Sequence, residues 1–237
     1  MANLFQEIFY RPILNLLVFL YNTIPGHDLG IAIILLTVVI KLILHPFSLQ
    51  SLKSQKALQE LQPKINELKE KYKDDKPGLS KATMEMYKEN KVNPFSSCLP
   101  LLIQLPFLIA VYRVFRDGLA SRLELVYPFI YKPETIHVLS FGFLDLSKPN
   151  IVLAVLAGAA QFWQAKTMMA KTPKIEKKEP GKEPDISAMM NKQMLYLMPA
   201  LTIFIGISLP GGLTLYWFVL TLLTALQQWL MFRKKKE

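Results

Sequence analysis

The chain is expected to be an all-α polytopic membrane protein, with five transmembrane helices, an N-terminal interfacial helix and a cytoplasmic helical hairpin. Three observations predict this class. The 237 residues are 51% hydrophobic with a mean hydropathy of +0.25, yet carry a net charge of +10. Soluble domains of this length rarely combine those values, whereas polytopic membrane proteins with basic loops do. Five apolar segments, at about 29–47, 99–115, 151–165, 195–209 and 213–232, can span, and none holds an aspartate or glutamate. The basic residues are also unevenly divided: 20 fall in 51–93, 171–193 and 233–236, against six on the other side, counting Arg113 there. The richer side is cytoplasmic by the positive-inside rule, which puts the N-terminus outside and the C-terminus in the cytoplasm.

In residues 1–27, Phe5, Ile8, Phe9, Ile13, Leu16, Leu17, Leu20 and Ile24 recur at helical spacing. Asn3, Glu7, Arg11 and Asn15 fall on another face, a pattern that suits an amphipathic helix lying in the extracytoplasmic interface. An extra span over 13–24 would have twelve residues, fewer than the ~20 a spanning helix needs. The segment lacks the basic start and small-residue cleavage site of a signal peptide.

The first span, LGIAIILLTVVIKLIL at 29–44, contains Lys41. A charge at mid-membrane costs about 2.5–3.5 kcal/mol on insertion scales and normally faces a protein interior or a wet cavity. Thr37, four residues earlier, shares its helix face. Snorkelling is the other reading, since Lys41 is six residues, roughly 9 Å, from Phe47 at the interface. This segment by itself supports both.

Residues 51–93 read as a cytoplasmic helical hairpin. Leu58, Leu61, Ile65, Leu68 and Tyr72 repeat at alternating three- and four-residue spacing, 74–78 forms a turn, and 80–90 forms a shorter second helix. Its mixed charges suit either a solvated face or a docking surface. Pro100 and Pro106 in the second span and Pro199 in the fourth predict kinks. Pro210-Gly211-Gly212 predicts a tight turn that makes the last two spans an antiparallel hairpin. The stretch 171–190 is rich in Lys, Glu and Pro and reads as a disordered cytoplasmic loop. The basic tail 233–237 suits anionic lipid or ribosomal RNA.

Chemistry-bearing motifs are few. GxxxxGK[ST], HExxH and GxSxG do not occur, and His27, His45 and His137 are scattered, so no nucleotide, metal or cofactor is expected. The single cysteine, Cys98, reads as a small buried hydrophobe. An intramembrane protease would need paired aspartates, a zinc motif or an activated serine, and Ser208 has no plausible histidine base. The chain is therefore not expected to be an enzyme.

Four blocks carry a resemblance: KVNPFSSCLPLLIQLPFLIAVYRVF at 91–115; the Lys41 span followed by the hairpin through LQPKINELKEKY; LDLSKPN at 144–150; and PGGLTLYWFVLTLLTALQQWL at 210–230. In this order, and with these loop sizes, the chain resembles the YidC membrane-protein insertase family from about residue 29 to its C-terminus. It departs in lacking the large extracytoplasmic domain of Gram-negative members and in carrying lysine where the family usually has arginine in the first span. The resemblance implies an insertase and chaperone for newly made proteins, working through a hydrophilic groove open to the cytoplasm and to lipid. It implies groove positions at Lys41, Thr37 and Trp217, with Gln161 and Gln164 as candidates in the third span. Gln104 is a further candidate, which an interhelical hydrogen bond explains equally well. The implied partners are nascent membrane proteins and the lipid bilayer of the bacterial cytoplasmic (inner) membrane, with the ribosome and the Sec translocon as further candidates. The rival class is a channel or secondary transporter, which favours inverted repeats and intramembrane carboxylates.

Overall fold

The computed structural model describes residues 2–73, 75–93, 99–117, 119–169 and 193–233. Cys98, the whole of the expected disordered loop 171–190 and nearly all of the basic tail lie outside them.

Helix α1 (Ala2–Phe5) passes through a wide turn, Gln6–Tyr10, into α2 (Arg11–Thr23). Gly26 and His27, both at positive φ, turn the chain into α3 (Leu29–Ile43). Asp28 caps α3 by accepting hydrogen bonds from the Gly30 and Ile31 amides. At Leu44 the chain bends by 65° into α4 (His45–Lys71). Pro46 explains the bend: it has no N–H to give the Leu42 carbonyl, and its ring clashes there. The expected first span, 29–47, therefore breaks at Leu44, and the hairpin's first helix begins at His45 rather than near 51. Its second helix, α5 (Lys76–Glu89), starts earlier than expected because the Asp75 carboxylate caps it through the Gly78 amide.

Of the hairpin seam, Leu61 and Ile65 are buried, while Leu58, Leu68 and Tyr72 are half-buried. Helix α6 (Leu99–Arg116) runs on through Pro106 as one helix. A loop with a 3-10 segment (Leu119–Leu125) and a two-stranded antiparallel hairpin follows. Its strands β1 (Leu139–Ser140) and β2 (Leu144–Asp145) pair Leu139 with Asp145 and Ser140 with Leu144. Then come α7 (Ile151–Met169), a wide turn (Gln193–Leu197), α8 (Met198–Gly206) and α9 (Gly211–Arg233). Pro199 sits in the first turn of α8, where the wide turn before it passes into the regular helix.

Helix α9 packs on α7 and α3, α7 also packs on α8, and α2 packs on α3 and α6. The last two helices thus meet mainly through α7 rather than as a hairpin packed on itself. Small residues allow the α7–α8 approach: a Cβ on Gly158 would collide with Ile203, and one on Gly206 would lie 3.0 Å from the Ala154 Cβ.

Most of the expected apolar face of the N-terminal helix is buried or half-buried, but two positions depart from the expected pattern. Ile8 is exposed, whereas the supposedly polar Asn15 is only 2% exposed. The reason is the loop after α6, which covers that face. Asn15 accepts from the Tyr127 amide (2.6 Å) and donates to the Arg11 and Leu125 carbonyls. Arg11 also donates to the Leu125 carbonyl (3.1 Å), and its guanidinium lies over the Tyr127 ring.

By length and composition, one helix among the described residues, Gly211–Phe232, is sufficient to cross a membrane, and α3 with α4 qualifies only as a bent pair. The other expected spans are helical but shorter or less apolar.

Candidate functional site

Lys41 sits in the last turn of α3, just before the bend. Its ammonium does not reach along the chain toward Phe47; it crosses to α9 and donates to the Thr224 hydroxyl at 2.8 Å. That hydroxyl in turn donates to the Leu220 carbonyl at 2.7 Å. Among the described residues no carboxylate pairs with Lys41. A part-buried ammonium with three donors and one protein acceptor keeps strong demand for an anion or for water.

Thr224 belongs to a series that sequence reading missed. Thr214, Trp217, Thr221, Thr224 and Gln228 alternate at three- and four-residue spacing, which places them on one face of α9. Thr214, Thr221 and Gln228 are buried, and Trp217 is half-buried. The amide oxygens of Gln227 and Gln228 are buried with no hydrogen-bond partner among the described residues, and the Gln227 amide lies 3.4 Å from the His45 ring. The seven-residue recurrence of polar residues within an apolar helix was the available signal.

The other expected groove residues divide. Thr37 is completely buried and donates its hydroxyl to the Ile33 carbonyl at 2.7 Å, so it lies in the packed interior and not in an open cavity. Gln104 donates to the Tyr216 hydroxyl at 2.7 Å, tying α6 to α9, as the interhelical reading expects. Gln161 and Gln164 are half-buried on α7. The bent pair and the hairpin meet α7 at the same end, where Gln59 donates to the Met168 carbonyl at 2.6 Å. Leu42, Ile43 and Phe47 are exposed around the bend.

The opposite end is closed by hydrogen bonds. The Asp28 carboxylate accepts from the Ser140 hydroxyl and the Phe141 amide as well as from its own helix. Burial raises the Asp28 pKa, but these hydrogen bonds outweigh it and hold the carboxyl below its usual range. The Tyr21 hydroxyl accepts from the His137 amide, and Asn22 donates to the Tyr131 carbonyl. The Gly211 and Gly212 amides donate to the Lys148 and Leu146 carbonyls, pinning the start of α9 to the same loop.

The family model described as 60Kd inner membrane protein matches residues 19–237. A protein of Fusobacterium nucleatum subsp. nucleatum named "Membrane protein insertase YidC" is 36% identical over 229 residues, covering 95% of this chain and 97% of that one. The protein of that name from Francisella tularensis subsp. novicida is 40% identical over 204 residues, 86% of this chain but 32% of the relative. The same holds for Francisella philomiragia, so the chain spans about a third of the Francisella relatives and nearly all of the Fusobacterium one. The chain belongs to the YidC family of bacterial inner-membrane proteins.

Proposed function

We propose that this chain is a membrane protein insertase whose working site is the polar face between α3 and α9, with Lys41 as its positive charge. The single observation that carries this reading is the Lys41 ammonium, held on Thr224 beside buried amide oxygens and without a carboxylate among the described residues. In a transporter such a charge would call for a coupled acid; here it is left for a ligand.

In this reading α3, α6, α7, α8 with its preceding turn, and α9 are the five spans. The α4–α5 hairpin lies in the cytoplasm and the loop after α6 lies outside. Trp217, Gln161 and Gln164 line a groove that water enters from the cytoplasm. A water-filled recess shortens the hydrocarbon barrier that a polar tail must cross. Lys41 attracts acidic residues in that tail, and the attraction grows as the effective dielectric falls from that of water. The substrate's apolar segment then leaves sideways into lipid, driven by burial at about 25 cal/mol per Å². The membrane potential helps by about 2.3 kcal/mol per negative charge per 100 mV. No covalent step and no nucleotide or cofactor enters. Nascent membrane proteins and the bilayer are the partners, and the ribosome and the Sec translocon would approach the hairpin side.

Insertion of a single-span substrate with a short acidic tail into proteoliposomes tests the proposal at matched protein levels. Lys41→Arg is expected to keep activity. Lys41→Ala should lose about tenfold, ~1.4 kcal/mol of effective attraction, and Lys41→Glu should lose more through repulsion. Substrates with neutral tails should suffer less. Equal insertion by wild type and Lys41→Ala with both substrate types would end the reading.

A further inference from the structure

The loop-covered end of the bundle holds another polar site that the insertion reading does not use. A cavity of about 260 Å³ opens between the N-terminal segment and the last turn of α6, with Gln6, Tyr10, Arg113, Arg116, Asp117 and Arg122 in its walls. Tyr10 is 4% exposed, and its hydroxyl has no hydrogen-bond partner among the described residues. A buried, unpartnered phenol is uncommon and marks a place where something outside the chain completes the bonding. Burial and the nearby Asp117 keep that phenol protonated, hence a donor.

The charges around it are unequal. Asp117 is taken by Arg116 at 2.9 Å, and Glu124 reaches Arg122 only at 3.9 Å. The Arg113 guanidinium faces the Phe5 ring at 5.0 Å instead of a carboxylate. Two guanidiniums and a phenol therefore converge with positive charge to spare. The C-terminus of α6 opposes an anion, but the Asp117 amide already covers the Arg113 carbonyl.

An exposed apolar track leads to this cavity. Leu102, Leu105 and Ile109 lie on one face of α6 and are exposed, and the same face continues to Arg113 and Arg116. Leu102 to Arg113 spans roughly 16 Å along the helix, about the length of an acyl chain. Leu4 and Ile8, exposed beside Gln6 and Tyr10, widen the apolar surface. A free phosphate would use the cavity alone; a phospholipid would use both the cavity and the track.

We propose that the cavity holds the phosphate of an anionic phospholipid from the outer leaflet, with Arg113 and Arg122 as charge partners, the Tyr10 hydroxyl as donor and the α6 track along its acyl chain. The leaflet assignment rests on the orientation proposed above; the headgroup chemistry does not.

The test uses the full chain in nanodiscs of phosphatidylcholine with 20–30% (roughly one lipid in four) phosphatidylglycerol, transferred to detergent, with retained lipid counted by native mass spectrometry. Retained phosphatidylglycerol should fall about fivefold in Arg113→Gln/Arg122→Gln and two- to threefold in Tyr10→Phe, on the order of one charge-assisted and one neutral hydrogen bond. Tyr10→Phe preserves the packed ring, so it reports on the site even where the double variant folds poorly. Equal retention by wild type and Tyr10→Phe overturns the proposal. So does inorganic phosphate displacing the lipid at millimolar concentration, which would make this a free-anion site, or displacement by an acidic peptide, which would make it a substrate site. A cysteine at Lys132 that labels from outside intact cells supports the leaflet assignment. Labelling only from inside overturns the orientation and the leaflet while leaving the lipid count to judge the headgroup site.

Discussion

At the loop-covered end, Asn15, Asp28, Tyr21 and Ser140 are matched to backbone or side-chain partners across about 110 residues of chain. At the hairpin end, Lys41 has one partner, and the amide oxygens of Gln227 and Gln228 have none among the described residues. Buried polar groups normally find partners, so apart from the cavity at Tyr10 the loop-covered end resembles an ordinary folded interior. The hairpin end has the character of a site held ready for something else. The contrast teaches where function lies in a bundle whose two ends are both rich in polar residues. Satisfied groups fasten the fold, and unsatisfied ones wait for water or a ligand.

Stability measurements can break this comparison. Asp28→Ala removes a helix cap and leaves the Phe141 amide unpaired, so unfolding in detergent should show a loss of roughly 2–3 kcal/mol. Lys41→Met removes a charge from an apolar segment and should leave stability unchanged or raise it by up to about 1 kcal/mol. A Lys41→Met loss as large as that of Asp28→Ala would make both ends structural.

Acid should sharpen the contrast with a smaller effect. Asp28 has a folded pKa below its ordinary value of 3.8, and hydrogen bonds from Ser147 and Lys148 hold Asp145 at about 2. A carboxylate lowered on folding contributes stability that is complete above its ordinary value and lost as pH falls through its folded one. The difference in melting temperature between wild type and Asp28→Asn should therefore be constant from pH 7 to about pH 5 and shrink below about pH 4. A difference that shrinks between pH 7 and pH 5 instead would exclude this carboxylate as the cause. The smallest expected effect is at Gln104→Leu, which deletes the bond to Tyr216; a loss under about 1 kcal/mol is expected from denaturant titration.

Much of this was legible in the residues and some was not. The charge of Lys41 inside an apolar run marked the proposed site, because a cost of that size needs an explanation. Its partner Thr224 was hidden: a threonine in an apolar helix satisfies itself on the preceding turn and changes the hydropathy little. Thr37 shared a face with Lys41 but turned out to be interior, since residues one turn apart on a helix can still meet different depths of packing. Asn15 misled because helical spacing tells which residues share a face and not what covers that face. The covering loop has no periodicity to read, and its contacts are made with residues far away in the chain. The bend at Leu44 was written in Pro46, yet an unbroken apolar run concealed it.

The tight approach at Gly30 has a consequence in time. Its amide donates to the Ser140 hydroxyl at 3.0 Å, and a Cβ there would collide with that side chain, so glycine is required where α3 meets the strand pair. The two residues are 110 apart in the chain. At about 5–20 residues per second, synthesis separates them by roughly 5–20 s. For that interval the far end of α3 is unfastened, held by its own cap. The chain, of a family of inner-membrane proteins, is thus made with its first long helix finished well before the loop that closes over it.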